Sequence, residues 1–236
     1  MLPKLIHHSV ILALLMGAGC KTDASSAAPI DQPEDPESPP KAIPMGEHFV
    51  QAEQIRDAII AGRMQEARAP ANWLLENVTA EDMPVRWRDH VPKVRRNAKK
   101  VAEAEELVDA AVAAGKLANA CGDCHADIGV AIKAPERPVP LKDQTKFAQM
   151  DRHAYAAERM WDGLVGPIDD AWIEGATLMR DAPLHGDAAP DLVKSLAAET
   201  HALATSSVEL AAKDRAETYS RIIITCAACH SIVDGP

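Results

Sequence analysis

From residue 45 onward, apolar residues fall at three- and four-residue intervals, the spacing of one helix face. Met45, His48, Ala52, Ile55 and Ile59 follow a/d heptad spacing, and Met150, His153, Ala157, Met160 and Leu164 repeat it. The pattern predicts a first helix over about 46–61, opened by Pro44, and a second over about 64–77 after the turn at Gly62. Asp82-Met83-Pro84 opens a third that continues to about residue 106, and a fourth starts at Asp109. Counterparts follow at 168–181 after Pro167, from Ala188-Ala189-Pro190 to about 211, and from Asp214, where Glu217 completes a capping-box-like start.

An offset of 105 residues relates the two series. It sets Glu53 on Glu158, Asp57 on Asp162, Asp109 on Asp214 and Lys116 on Arg221. The expected fold class is therefore all-α: two tandem four-helix up-down bundles, over 44–131 and 149–236, joined by a Pro-rich linker over 132–148. In each bundle the first helix runs antiparallel to the fourth, so the start of one lies beside the end of the other.

Ahead of the helices, the first twenty residues read as an export signal. Lys4 provides charge, Val10–Met16 an apolar run too short to span a bilayer permanently, and Gly17-Ala18-Gly19 small residues before Cys20. The end of this segment resembles the lipobox of bacterial lipoproteins, which makes Cys20 the candidate for lipidation and a membrane anchor; ordinary cleavage nearby is the alternative. Residues 21–43, with five prolines and no apolar periodicity, read as a disordered tether. The expected location is the periplasmic side of a bacterial membrane.

Composition supports helices, because aromatic residues make up only 3% of the chain. So few large side chains leave a small helical core short of apolar area, which a bound prosthetic group would supply. The net charge of −10 argues against nucleic acid as a partner.

Chemistry concentrates in two pentapeptides, Cys121-Gly122-Asp123-Cys124-His125 and Cys226-Ala227-Ala228-Cys229-His230, which use four of the five cysteines. Cys-x-x-Cys-His is the attachment signature of haem c. Thiols one helical turn apart reach two vinyl groups of a porphyrin, and the adjacent histidine turns about 100° further to face the iron. Two covalent haems are expected, on Cys121 and Cys124 with His125 as proximal ligand, and on Cys226 and Cys229 with His230. A four-thiolate zinc site, a thioredoxin-like pair and structural disulfides are the alternatives, and none explains a histidine after both pairs.

His48 and His153 lie on the first-helix stripe at its haem end and are the candidate distal ligands, with Met45 and Met150 as runners-up. The remaining alternative is a core histidine bonded to a carbonyl or a propionate, leaving iron five-coordinate. His90, His185 and His201 fall at unmatched positions and read as surface or loop residues. Lys116 and Arg221 read as solvated, and Glu53, Asp57 and their partners as exposed.

A short four-helix bundle with this motif in its last helix resembles the class II c-type cytochromes, the cytochrome c′ and cytochrome c556 group. Tyr219-Ser220-Arg221-Ile222 leading into the second motif is similar to that family's final helix. The resemblance implies thioether bonds at the cysteines, proximal histidines, and a sixth position left open or filled by a first-helix methionine. Shorter units, tandem arrangement and a histidine on the first helix depart from the family. The expected function is single-electron transfer between redox partner proteins outside the cytoplasm, not enzymatic catalysis, and the acidic surface favours a basic patch on the partner. The alternative is a haem protein that binds nitric oxide or carbon monoxide.

Overall fold

The long periodic segments become helices, and their order follows the apolar pattern closely. The computed structural model describes residues 45–140, 146–182 and 189–233, with side chains from 149 in the second stretch. The signal over 1–20 with Cys20, the tether over 21–43, Pro44 and His185 lie outside the described residues. Among these residues there is no strand, and the α-helices are α1 (Met45–Ile60), α2 (Arg68–Asn77), α3 (Val91–Glu103), α4 (Leu107–Asp127), α5 (Lys146–Val165), α6 (Asp169–Asp181), α7 (Asp191–Ser207) and α8 (Ala212–Val233). The protein is all-α over this range, and no described helix is long and apolar enough to cross a membrane.

Local sequence explains the ends. Gly62 takes a φ of +71°, and its N–H bonds the carbonyl of Ile59 while Arg63 N–H reaches Ala58, satisfying carbonyls at the end of α1. The segment expected to open the third helix is instead a 3₁₀ turn, Val85–His90, and α3 restarts at Val91 with Pro92 in its first turn. Proline has no N–H to continue the preceding helix, yet its fixed φ suits a helix start. Between α3 and α4 the chain breaks without proline or glycine. Ala104 is extended there, and its carbonyl accepts a hydrogen bond from Arg68 Nη2 at 3.1 Å. Asp109 and Asp214 lie in the first turns of α4 and α8, not at their caps.

Contacts between neighbours fix the helix directions in the first half. Lys93 at the start of α3 pairs with Asp123 near the end of α4, and Arg95 reaches the Val78 carbonyl beyond α2. The apolar stripe of α1 is buried at Ala52, Ile55 and Ile59 and half-buried at Met45 and His48; on α5, His153, Ala157, Met160 and Leu164 are buried.

All described residues belong to one compact unit, Pro40–Pro236. The most extensive helix contacts across the halves are α4 with α8, α4 with α5, and α1 with α8. The 105-residue offset turns this set into itself, and several offset pairs meet directly. Gly115 faces its counterpart Ser220, and the Arg56 guanidinium lies over the ring of its counterpart Trp161, 5.7 Å from the centroid. Like meeting like is the mark of an approximate two-fold relation.

Arg137, from the proline-rich segment, sits between a third such pair. Its guanidinium reaches Glu53 at 2.7 Å, Glu158 at 2.9 Å and Asp162 at 3.0 Å. Arg159 binds the fully buried Asp162 as well, at 3.2 Å. The expectation that these carboxylates are merely exposed is therefore corrected for Glu53, Glu158 and Asp162: the opposite half and the linker cover that face. Asp57 stays exposed.

Close approach of α4 and α8 depends on the missing side chain at position 115. A Cβ there would lie 2.2 Å from Ser220 Oγ and 2.7 Å from the Ala216 carbonyl oxygen. Gly115→Val is expected to lower stability by about 1–3 kcal/mol, as overpacking of a tight core does. The exposed Gly46, with nothing within 4 Å of a built Cβ, serves as control, and Gly46→Ala should be neutral or slightly stabilising. Urea unfolding midpoints of the two variants provide the check.

Candidate haem-attachment sites

The first pentapeptide occupies the last turns of α4, so its two thiols emerge one turn apart on the same side of a continuous helix. Beside them lies a cavity of about 280 Å³, partly open to solvent and walled almost entirely by apolar groups. Cys121, Cys124 and His125 line it, as do Met45 and His48 at the start of α1. The structure thus brings the attachment residues of the first motif and both candidate distal residues of α1 around one space. Leu74, Val78, Met83, Trp87 and Val94 supply apolar lining, and Ile132 to Pro135 of the linker close one end.

His125 is oriented from outside its own half. Its Nδ1 lies 2.7 Å from the carbonyl oxygen of Val165, at the end of α5. A carbonyl only accepts, so Nδ1 carries the proton and Nε2 keeps its lone pair. Such a bond, from the remote ring nitrogen to a carbonyl, is the usual support of a metal-binding imidazole. His48, on the same cavity, packs edge-on to Trp73 with ring centroids 5.6 Å apart. Burial lowers its pKa against the opposing pull of Glu47 and Asp82, which favours the neutral, ligand-competent ring.

His90 corrects the surface assignment made from sequence. It closes the 3₁₀ turn before α3, lines the same cavity, and pairs with Asp127 at 3.1 Å with only 18% of its side chain exposed. Trp87, one turn earlier, lines the cavity too, and its buried Nε1 has no partner among the described residues. An acceptor on a bound group would satisfy that donor. The i,i+3 spacing of Trp87 and His90 ahead of a proline-started helix was the legible signal for this wall.

Around the second motif the arrangement differs. Met150, His153, Cys226, Cys229 and His230 lie outside the cavity just described. His153 is buried with its Nε2 donating to the carbonyl of Ala182, the carbonyl-bonded alternative to iron ligation. Its Nδ1 is buried without a partner among the described residues. Met150 and His230 are half-buried. His201 is exposed and bonds the Arg180 carbonyl; Lys116 and Arg221 are exposed, as expected.

None of the four motif cysteines is joined in a disulfide. Burial, reinforced by neighbouring Cys124 and Asp123, pushes the Cys121 thiol up to about 12, and burial with Cys229 does the same for Cys226. Burial also raises Cys124. Thioredoxin-like pairs have lowered thiol pKa values instead. Among the described residues, no three His, Cys, Asp or Glu side chains cluster as a metal site by themselves. The residues fit an iron porphyrin in other respects: paired neutral thiols, an imidazole with a bare Nε2, an orphaned indole N–H, and an apolar cavity open at one edge. At about 280 Å³ the cavity is slightly smaller than the roughly 300–1,000 Å³ of cofactor sites, so a larger group would extend through its open side into solvent.

No family model matches the chain, and neither a curated protein nor a solved structure is significantly similar to it.

The buried imidazole of His153 has a pKa below its ordinary value, chiefly through burial, with the Ala182 bond opposing and Arg152 adding to the effect. The unfolded chain therefore binds this proton more readily than the folded one. Stability contributed by His153 is present above pH ~6.5 and is lost as pH falls through the lower folded-state pKa. Urea midpoints between pH 7.5 and 5 should decline, and His153→Leu should flatten that decline.

Proposed function

We propose that this chain is a dihaem c-type cytochrome built as two tandem four-helix bundles, exported and tethered to a bacterial membrane through Cys20, and that it passes single electrons between redox partner proteins. The observation that carries this reading is that Cys121, Cys124, His125, Met45 and His48 all line one predominantly apolar cavity. Bound at both motifs, haem supplies a one-electron iron couple. The chain's own residues then do the rest. Cys121 and Cys124, and Cys226 and Cys229, anchor the two groups; His125 and His230 are proximal donors; His48 and His153, or Met45 and Met150, are the distal candidates. Apolar walls exclude water, and a filled sixth position keeps small molecules off the metal. The partial opening leaves one edge accessible for brief docking.

The binding of nitric oxide or carbon monoxide is the second reading, and one observation favours it. His153 gives its Nε2 to the Ala182 carbonyl, which would withhold that nitrogen from a metal bound at the second motif.

Expression of the full chain in a host that matures cytochromes tests both. Two haems per polypeptide are expected by pyridine haemochromogen assay, falling to one in the Cys121→Ser/Cys124→Ser variant. Low-spin iron that ignores carbon monoxide supports electron transfer, whereas high-spin iron that binds it supports the gas role. His48→Ala should convert one haem from low- to high-spin, and an unchanged spectrum rejects His48 as ligand. A colourless chain with free thiols rejects the whole reading.

A further inference from the structure

We infer that the second half of the chain sets the proximal side of the first haem site, with the backbone carbonyl of Val165 acting as a positioning group for His125, and that the two haems are thereby given unequal reduction potentials. The inference rests on the dihaem reading above.

Three observations carry it. The Nδ1–H of His125 donates to Val165 O at 2.7 Å, a bond that joins the end of α4 to the end of α5 across the two halves. The end of α5 reaches this position because residue 122 is glycine, since a Cβ there would stand 2.1 Å from the carbonyl oxygen of Leu164. At the matching place in the second motif stands Ala227, whose methyl group occupies the space that Gly122 leaves empty. No hydrogen bond holds the His230 ring among the described residues. The pentapeptides differ at two positions, Gly122 against Ala227 and Asp123 against Ala228, and the first of these accompanies the difference between a histidine braced by the opposite half and one that is not.

The chemical consequence has a definite sign. An imidazole that donates its remote N–H to a carbonyl is a more basic ligand at the other nitrogen, and its ring is locked in one orientation. A more basic axial ligand stabilises ferric over ferrous iron, so hydrogen bonding and ligand basicity are levers on potential. The haem on Cys121 and Cys124 should therefore be the harder of the two to reduce.

Two measurements on the haem-loaded full chain test this. In the unmodified ferric protein, NMR should show one proximal ring N–H that exchanges slowly with solvent and one that exchanges fast. Redox titration of Gly122→Ala, whose new methyl forces the end of α5 away, should show one potential shifted upward and the other unmoved, with the slow N–H turned fast. Two haems per chain with both ring N–H protons exchanging alike overturn the inference and leave the dihaem reading standing. Both potentials unchanged in Gly122→Ala, with the slow proton lost, overturn the claim about potential. Should Gly122→Ala fail to load its first haem, the exchange measurement on the unmodified chain decides. Absence of haem from the unmodified chain overturns the underlying reading instead, and the haem count tells the two failures apart.

Discussion

Backbone-to-backbone proximity of α4 and α8 is the constraint from which the rest of the architecture follows. Eight small or medium residues of α4, from Ala110 to Ala120, are buried with Gly115 among them, because helices press on this one from several sides. A helix so poor in large side chains cannot secure itself by apolar area alone, and it relies on close approach, where many weak dispersion contacts add up. Pressing α4 onto α8 also brings the end of α5 onto Gly122, and with it the carbonyl that turns His125. The same small-residue packing therefore serves cohesion and the orientation of the His125 ring.

Charge does at the linker what small residues do at the helix crossing. Glu53, Glu158 and Asp162 would repel one another if brought together bare. Arg137 inserts among them, and a partly buried guanidinium satisfied on several sides tolerates burial that a lone charge would not. Removal of one member of such a cluster leaves the others uncompensated, which makes it more a device for fixing arrangement than a source of net stability.

Much of this was written in the apolar spacing. The stripes Met45–Ile59 and Met150–Leu164 gave helix positions that agree with the structure within a few residues, and the Cys-x-x-Cys-His motifs marked the ends of α4 and α8. What periodicity did not carry was the relation between halves. Nothing in the local pattern of Val165 or Asp162 signals that one turns His125 and the other lies on the wall of a cavity in the opposite half, because those roles arise from contacts made 25 to 40 residues away. His90 was misread for a related reason: the offset that organises the chain offers it no counterpart, so its place on the cavity wall shows only once the 3₁₀ turn is seen.

The segment from Ile132 to Arg137 lies along the cavity at one end and is bolted between both halves at the other. It behaves as a strap across a container whose opposite walls belong to different parts of the polypeptide. On the dihaem reading, a group bonded to Cys121 and Cys124 would lie under that strap, and its fit would be coupled to the docking of Glu158 and Asp162 on Arg137.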